Sequence, residues 1–249
     1  MLNKKLLTTA VTTVLLAGLG GTVAQAADDF EISGNVALTS DYRFRGISQS
    51  DEKPAIQGGF DLGFEPGFYL GTWGSSVDFG DAGNEGSYGT LELDYYGGWR
   101  GPIGDSDFGI DVSYLYYDYP GDTTEPEGDY QEVSLKGSWK GLVLGVNYSD
   151  DYYAETGEFF YYAADYSYSF TDEFAVGVHA GYNDFENDKD VTFLTDDQDA
   201  YTDYSVSLTY TWAGVGFTLA YVGTDLDEEE YYGTDYAEDT AVFSIKKVL

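Results

Sequence analysis

The side chains best suited to chemistry in this sequence are a few bases set among many acids. The 249 residues contain 45 aspartates and glutamates, 11 lysines and arginines and one histidine, so the net charge is −34 at pH 7. Arg43 and Arg45 belong to a chain with only three arginines, and a guanidinium group binds carboxylates or phosphates through two hydrogen bonds. One interpretation makes the pair a constriction that attracts anions. The other pairs them with Asp41 or with loop carboxylates.

His179 is the one histidine of the chain, and its imidazole could change charge near neutral pH. Catalysis would also need a positioned nucleophile and a group that orients the ring. No hydrolase motif accompanies this histidine. The sequence therefore predicts neither an enzyme nor a bound cofactor.

The composition excludes several other classes of protein. A nucleic-acid partner requires a basic surface that displaces phosphate counterions, and the acidic excess rules it out. The absence of cysteine excludes disulfides, thiolate zinc sites and cysteine nucleophiles. With 25 Tyr, 15 Phe and 4 Trp, the chain is too aromatic for an acidic disordered tail, so we expect it to fold.

The first 26 residues have the composition of a secretory signal peptide. Lys4 and Lys5 precede an uncharged apolar stretch from Leu6 to Gly20, and Ala24-Gln25-Ala26 has the small-x-small pattern of a cleavage site. A transmembrane anchor is the weaker alternative, because about 20 apolar residues are needed to span a bilayer and four threonines interrupt this run. We predict cleavage after Ala26, which leaves residues 27–249 as one domain beyond the inner membrane.

After residue 26, apolar and polar residues alternate with period two over segments of about ten residues. Phe30, Ile32, Val36 and Leu38 set the pattern, and Val215, Phe217, Leu219 and Tyr221 repeat it late in the chain. Twelve such segments can be counted, although the pattern does not settle which face is apolar in the segment near 68–79. This periodicity is typical of transmembrane strands. It predicts an all-β protein, a transmembrane up-and-down antiparallel β-barrel of twelve strands.

The connections between these segments alternate strictly in length. Short turns near 65–67, 101–105, 140–141, 171–173 and 213–214 alternate with long acidic connections near 46–53, 80–87, 118–129, 149–158, 184–200 and 224–236. Outer-membrane barrels have short periplasmic turns and long external loops, whereas a Greek-key sandwich gives no reason for the alternation. The pattern therefore favours the barrel.

Aromatic residues at the strand ends predict two girdles at the membrane interfaces. Trp99, Trp139 and Trp212 share the apolar parity of their strands and each lies close to a short turn. Amphipathic rings collect at the headgroup level, so these tryptophans are expected to form the periplasmic girdle. The outer girdle would contain Tyr42, Phe44, Tyr116, Tyr148 and Tyr182.

The segment Ser40-Asp41-Tyr42-Arg43-Phe44-Arg45-Gly46-Ile47-Ser48-Gln49-Ser50 resembles the opening motif of a proteobacterial family of porins labelled TorF type. The stretch from Pro54 to Gly59 and the later segments 71–75, 91–98 and 117–121 are similar to further blocks of that family. The resemblance covers nearly all of the mature chain. It implies an outer-membrane barrel with porin activity, without a particular solute. The chain departs from most outer-membrane barrels in ending on Leu249 rather than on an aromatic residue.

The positions opposite the apolar face would line the lumen, and they carry more acids than bases. Because carboxylates in a pore favour cations, the lumen is expected to favour cations or neutral solutes. Opposite charges on neighbouring strands could instead pair into ladders that only stabilise the wall. The lumen candidates are Asp41, Arg43, Arg45, Asp61, Glu92, Asp94, Asp111, Lys136, Asp165, His179 and Asp203.

The acidic loops offer oxygen ligands, but none of them has the spacing of a dedicated calcium loop. Weak calcium or magnesium binding is therefore the most that Asp184, Glu186, Asp188 and Asp190 predict. The expected partners are outer-membrane lipid, lipopolysaccharide and a small solute. The leading functional hypothesis is a porin-like channel for passive or weakly selective diffusion. The alternative is a non-conducting structural or surface-interaction barrel whose acidic loops bind ions.

Overall fold

The computed structural model describes residues 30–80, 87–186, 194, 199–226, 231 and 234–249. The predicted signal peptide, residues 1–26, lies outside them. Within these ranges the chain forms fourteen strands: β1 Phe30–Thr39, β2 Arg43–Phe44, β3 Ile47–Ser48, β4 Ala55–Phe64, β5 Phe68–Ser76, β6 Leu91–Pro102, β7 Phe108–Asp118, β8 Tyr130–Trp139, β9 Leu142–Ser149, β10 Phe159–Ser169, β11 Phe174–Phe185, β12 Ala200–Trp212, β13 Val215–Thr224 and β14 Thr240–Val248.

Twelve of these strands form one closed barrel, and each strand of its wall is antiparallel to both of its neighbours. β1 pairs with β4 along its whole length and closes the barrel by pairing Asn35–Thr39 with Ser244–Val248 of β14. The predicted twelve-stranded antiparallel barrel is confirmed. β2 and β3 are not strands of the barrel wall, and among the described residues they pair as strands only with each other. Over the described ranges, no helix has the length and apolar character needed to cross a membrane.

The two faces of each strand have opposite chemistry, as the alternation predicts. Apolar side chains on the outside are exposed; Phe60, for example, is 63% and Leu208 46% exposed, whereas Ser207 on the inner face is 5% exposed. Such a predominantly apolar exterior is stable against lipid rather than against water. In β5, Phe68 and Leu70 point outward and Ser75 is buried inside, which settles the parity that the sequence leaves open.

This division predicts different costs for the same substitution at two neighbouring positions of β7. Val112 is 44% exposed on the outer face, and Ser113 follows it on the inner face. Val112→Arg should destabilise the barrel by about 2–4 kcal/mol, because it places a charge in hydrocarbon. Ser113→Arg, the matched control at the same depth, should cost much less. Equilibrium urea unfolding in phospholipid vesicles measures both values, and equal costs would contradict a lipid-facing exterior.

The three tryptophans that the sequence assigns to a periplasmic girdle lie near the end of the barrel with short connections, which we call the turn side. Trp212 is 65% exposed, Trp139 stacks on Phe108 with 5.8 Å between ring centroids, and the indole nitrogen of Trp99 donates to the carbonyl of Pro66 at 3.1 Å. We call the opposite end of the barrel the loop side.

Tyr42 and Phe44 are not in an outer girdle, so that part of the sequence interpretation is wrong. Their exposed fractions are 1% and 8%, and both belong to an aromatic core that contains Tyr117, Phe159 and Tyr201 on inner faces of the wall. The reason is that the connection after β1 folds into the barrel instead of continuing outward. The other predicted members of that girdle, Tyr116, Tyr148 and Tyr182, keep the outward parity of their strands.

Candidate functional site

The connection after β1 forms a small hairpin inside the loop side of the barrel. β2 and β3 are joined by Arg45 and Gly46, whose φ angles are 48° and 84°. Two central residues with positive φ define a type I′ hairpin turn. The base is closed by a hydrogen bond from the Gln49 amide to the Tyr42 carbonyl, 2.7 Å. We call residues Tyr42–Gln49 the inner hairpin.

The tip of the inner hairpin reaches the inner wall of the barrel. A Cβ atom at Gly46 would lie 2.4 Å from Cγ2 of Thr224 in β13, so only glycine permits this approach. The hydroxyl of Tyr201 in β12 donates to the Arg45 carbonyl at 3.1 Å. The hairpin is therefore fitted closely against the wall rather than loosely placed in the mouth.

Arg45 makes the strongest contact between the hairpin and the wall. Its Nη2 lies 2.6 Å from Oε1 of Glu132 in β8, and both side chains are at most 2% exposed. Its guanidinium also lies over the rings of Tyr161 and Phe159, 4.2 and 4.8 Å from their centroids. Burial alone would lower the pKa of Arg45, but the Glu132 carboxylate raises it above the ordinary value. The guanidinium therefore remains charged.

Glu132 is held in place by residues of the barrel wall as well as by Arg45. The amide of Asn147 in β9 donates to its Oε2 at 2.8 Å, and the Tyr117 hydroxyl lies 3.4 Å from the same oxygen. A buried carboxylate needs such donors to offset its lost hydration. The carboxylate is thus oriented toward the lumen by residues outside the hairpin.

Arg43 fixes the base of the hairpin. Its Nε lies 2.5 Å from Oδ2 of Asp41, and its Nη2 lies 3.0 Å from Oε1 of Glu52. It also donates to the carbonyls of Tyr236 and Glu238 in the last long connection. Of the two interpretations of the arginine pair, pairing with Asp41 and a loop carboxylate describes Arg43.

A pair of acids on β6 lies beneath Tyr42. The Tyr42 hydroxyl donates to Oε1 of Glu92 at 3.1 Å, and its ring packs edge-on against Trp73, 5.6 Å between centroids. Burial, then Glu92 and Asp94, raise the pKa of Tyr42, so the phenol keeps its proton and remains a donor. Asp94 is completely buried, and no basic side chain of the described residues lies within 4.0 Å of either acid.

His179 lies between two acids on the inner wall. Its Nδ1 is 2.8 Å from Oδ1 of Asp165, and its Nε2 is 2.8 Å from Oδ1 of Asp203 and 2.9 Å from the Tyr161 hydroxyl. A carboxylate at each ring nitrogen matches the doubly protonated ring, which donates twice. In the part of the chain that the structure describes, no serine or threonine hydroxyl is among its hydrogen-bond partners. The arrangement is a neutralising network rather than a nucleophile with its base.

The remaining lumen candidates line the wall toward the turn side. Arg100, Asp111 and Lys136 are direct cross-strand partners in one row over β6, β7 and β8. Tyr69 donates to Oδ1 of Asp111 at 2.8 Å, and Arg100 lies over the Tyr69 ring, 4.8 Å from its centroid. Asp61 accepts a hydrogen bond from Tyr96 at 2.7 Å. These contacts follow the wall and leave Arg100 and Lys136 without an acid within 4.0 Å among the described residues.

These contacts change the charge that the inner face presents. Counting inward positions treats each acid as free, whereas Asp41 is paired with Arg43, Glu132 with Arg45, and Asp165 and Asp203 with His179. Among the lumen candidates, the acids with no basic side chain of the described residues within 4.0 Å are Glu92 and Asp94 behind the inner hairpin, together with Asp61 and Asp111 nearer the turn side.

The candidate metal ligands are only partly described. Asp184 and Glu186 lie at the loop-side end of β11, and Asp188 and Asp190 lie outside the described residues. Among the residues that the structure does describe, no group of three or more histidine, aspartate or glutamate side chains could hold a metal ion.

The aromatic residues around Arg45 are functional candidates that the sequence interpretation missed. Tyr117, Phe159 and Tyr161 point inward at the loop-side ends of their strands, next to outward aromatic neighbours. The runs Tyr116-Tyr117 and Phe159-Phe160-Tyr161-Tyr162 carry the signal, because consecutive rings on one strand must place some of them inside the barrel.

The barrel resembles solved outer-membrane porins in fold. It superimposes on KdgM porin with a TM-score of 0.54 at 10% identity, covering 87% of this chain and 96% of that one. It matches a NanC porin with a TM-score of 0.53 at 13% identity, covering 88% and 98%, and KdgM porin in complex with disordered oligogalacturonate with a TM-score of 0.52 at 10% identity, covering 87% and 96%. Identities this low establish the fold alone.

The closed twelve-stranded barrel, its apolar exterior and this fold define an outer-membrane β-barrel protein. Residues 23–249 match the model of Gcw_chp, described as a bacterial protein of unknown function, and the chain belongs to that family. Among curated proteins, none matches this sequence.

Proposed function

We propose that this protein is a porin-like outer-membrane channel whose loop-side mouth is closed by the inner hairpin. The observation that carries the proposal is the position of Tyr42–Gln49 inside a barrel that is complete without it. Every strand of the wall has a wall strand on each side, and β2 and β3 add nothing to those hydrogen bonds. The hairpin can therefore leave the lumen without opening the wall.

The contacts of the inner hairpin support a reversible closure. Its polar contacts with the wall strands are Arg45 with Glu132, Tyr42 with Glu92, and Tyr201 with the Arg45 carbonyl, and Arg43 also donates to the carbonyls of Tyr236 and Glu238. Water can replace each of these contacts when the hairpin moves, because the partner groups are charged or hydroxyl-bearing. The fold shared with porins adds a second, weaker support.

For transport, we propose passive and weakly selective diffusion that favours cations or neutral solutes. The described residues of the long connections carry many carboxylates, whereas outside the inner hairpin their one base is Lys53, which contacts Asp51 and Asp78. A mouth with one sign of charge concentrates the opposite ion. Outer-membrane lipid and lipopolysaccharide are the proposed surroundings, and no enzymatic activity is proposed.

The TorF-type assignment is part of this proposal. The motif that carries the resemblance, residues 40–50, coincides with the inner hairpin and its base. Asp41 accepts hydrogen bonds from Ser48 and Ser50 as well as from Arg43. These hydrogen bonds within the motif explain its residue types, because they form the hairpin and its base.

A non-conducting structural barrel is the second candidate. The observation that favours it is the dryness of the lumen at the level of the hairpin, where Arg45, Glu132 and Asp94 are all at most 2% exposed. In that case the hairpin would be a permanent part of the barrel's core, and the function would be the binding of ions or a partner by the acidic loops.

Shortening the inner hairpin tests the two candidates. Because the Gln49 amide already bonds to the Tyr42 carbonyl, Arg43–Ser48 can be replaced by Asn-Gly, which forms the same type of turn. We expect this variant to conduct in planar bilayers under conditions in which the wild type is mostly closed. The matched control replaces six residues of another long connection, Thr123–Gly128, by the same dipeptide. A shortened-hairpin variant that stays closed would favour the structural barrel.

A further inference from the structure

We propose that the site that holds Arg45 is a binding site for solutes with a guanidinium group, and that Arg45 occupies it as an internal ligand until such a solute displaces it. We call Glu132, Tyr152, Phe159 and Tyr161 the Arg45 cage. The proposal rests on the channel function above, because the inner hairpin must be able to leave its position.

The chemistry of the Arg45 cage matches a planar organic cation. Glu132 contacts Nη2 at one edge of the guanidinium, and the Tyr152 hydroxyl lies 3.4 Å from Nη1. The rings of Tyr161 and Phe159 lie under the flat group. A carboxylate with aromatic faces recognises a guanidinium by charge, hydrogen bonding and stacking together. Potassium or sodium would use the carboxylate and gain little from the rings.

The four cage residues are held by contacts outside the hairpin, which itself adds one more aromatic ring, Phe44, 4.7 Å from the guanidinium carbon of Arg45. Asn147 orients Glu132 from β9. Tyr152 stacks on Phe159 with 4.0 Å between centroids, and Phe159 packs against Phe185 of β11 at 4.8 Å. A site that is already shaped before binding loses little free energy on ordering. We therefore expect the cage to persist when Arg45 is absent.

The backbone of Arg45 indicates that its side chain was not selected for the turn. Its φ of 48° is a left-handed conformation that costs energy for a bulky side chain, and the first central position of a type I′ turn favours asparagine, aspartate or glycine. A strained residue of this kind persists where it has a specific role. Here the role is the guanidinium, which fits the cage across the lumen.

Displacement links solute binding to opening. When the hairpin leaves, Glu132 loses the cation that balances its charge, and only water then offsets the lost contact. A solute guanidinium that occupies the vacated cage supplies that charge again. A ligand that binds only the form without the docked hairpin shifts the equilibrium toward that form. Guanidinium solutes would thus favour an open channel.

Binding to the vacated cage can be measured on the full chain in detergent. In Arg45→Ala, ethylguanidinium at ten times its dissociation constant should raise the melting temperature by about 3–6 °C. Ethylurea, a neutral analogue of similar shape, should not, and the effect should disappear in Arg45→Ala/Glu132→Gln. The shortened-hairpin variant provides a second host with an empty cage. Absence of saturable stabilisation in both hosts, or an equal effect of ethylurea, would overturn the proposal.

Displacement is then tested in planar bilayers with the wild-type chain. Millimolar ethylguanidinium on the loop side should increase the open-channel current several-fold and saturably, ethylurea should not, and Glu132→Gln should not respond. Binding to Arg45→Ala without any response of the wild type would show that the cage only fixes the hairpin, and would overturn displacement. If the shortened-hairpin variant never conducts, the channel function is overturned, and displacement with it. The binding of ethylguanidinium to the cage in detergent is then judged on its own.

Discussion

Arg45→Ala is expected to raise the open probability of the reconstituted barrel by about 100-fold. The substitution leaves Glu132 buried without its cation, and breaking a buried ion pair in this way costs about 3–5 kcal/mol. The cost falls on the docked state of the inner hairpin, because Glu132 can be hydrated once the hairpin has left. A loss of about 3 kcal/mol changes that equilibrium by about 100-fold. Single-channel recording measures the change directly.

Lys53→Ala is the matched control for Arg45→Ala. It removes one positive charge from the same connection, but the Lys53 side chain is 60% exposed and pairs with Asp51 and Asp78 at the surface. Exposed ion pairs contribute about 0–1 kcal/mol, so its open probability should remain close to that of the wild type. An equal effect of the two substitutions would show that surface charge, rather than the cage contact, governs closure.

The effect of Arg45→Ala should also depend on Glu132. In Arg45→Ala/Glu132→Gln the buried charge is absent, so part of the docking free energy should return and the open probability should fall below that of the single variant. Additive effects of the two substitutions would mean that the 2.6 Å contact contributes nothing specific to docking.

The barrel itself could be predicted because its signal is local and repeated. Every wall strand except β5 shows from its sequence which face is apolar, as Leu208 and Ser207 do on β12, and the lengths of the connections give the order of neighbours. Closure between β1 and β14 follows, since an up-and-down sheet with an open edge would expose unpaired backbone groups. Only β5 lacked a readable alternation, because small residues such as Gly71 and Gly74 interrupt it.

The inner hairpin could not be predicted because no local rule states whether a polar connection folds outward or inward. Arg45-Gly46 is an unusual type I′ pair, and Tyr42 and Phe44 have the spacing of outward girdle residues. Their inward position depends on contacts with Trp73 and Tyr117, which lie far along the chain. The sequence interpretation therefore placed residues 41–45 at the outer end of the first strand and residues 46–53 in an external loop.

The pairing of charges inside the lumen could not be predicted from the sequence for a similar reason. Arg45 and Glu132 are 87 residues apart, and their contact depends on how far the hairpin extends across the barrel. Parity assigns His179 to the inner face, but it does not show that the ring lies between Asp165 and Asp203. A count of inward charges therefore overstates how many remain free to act on a solute.

The shortened-hairpin variant should prefer cations strongly at low salt and lose most of that preference at high salt. Removal of Arg43–Ser48 takes away both arginines of the hairpin and exposes Glu92, Asp94 and Glu132 at the opened mouth. Their field is expected to act over the Debye length, which falls from about 30 Å at 0.01 M to about 3 Å at 1 M salt. Reversal potentials in asymmetric KCl measure the preference at each concentration.

Glu92→Gln/Asp94→Asn in the same background should reduce the cation-to-anion permeability ratio at low salt a few-fold, because these two acids have no basic partner within 4.0 Å among the described residues. The matched control, Asp105→Asn/Asp107→Asn, removes the same charge from an exposed turn-side connection and should change the ratio little. Anion preference at low salt would contradict this account. It would mean that Arg100 and Lys136 control the narrowest part of the path. These two bases lie deeper along the wall and have no acid within 4.0 Å among the described residues.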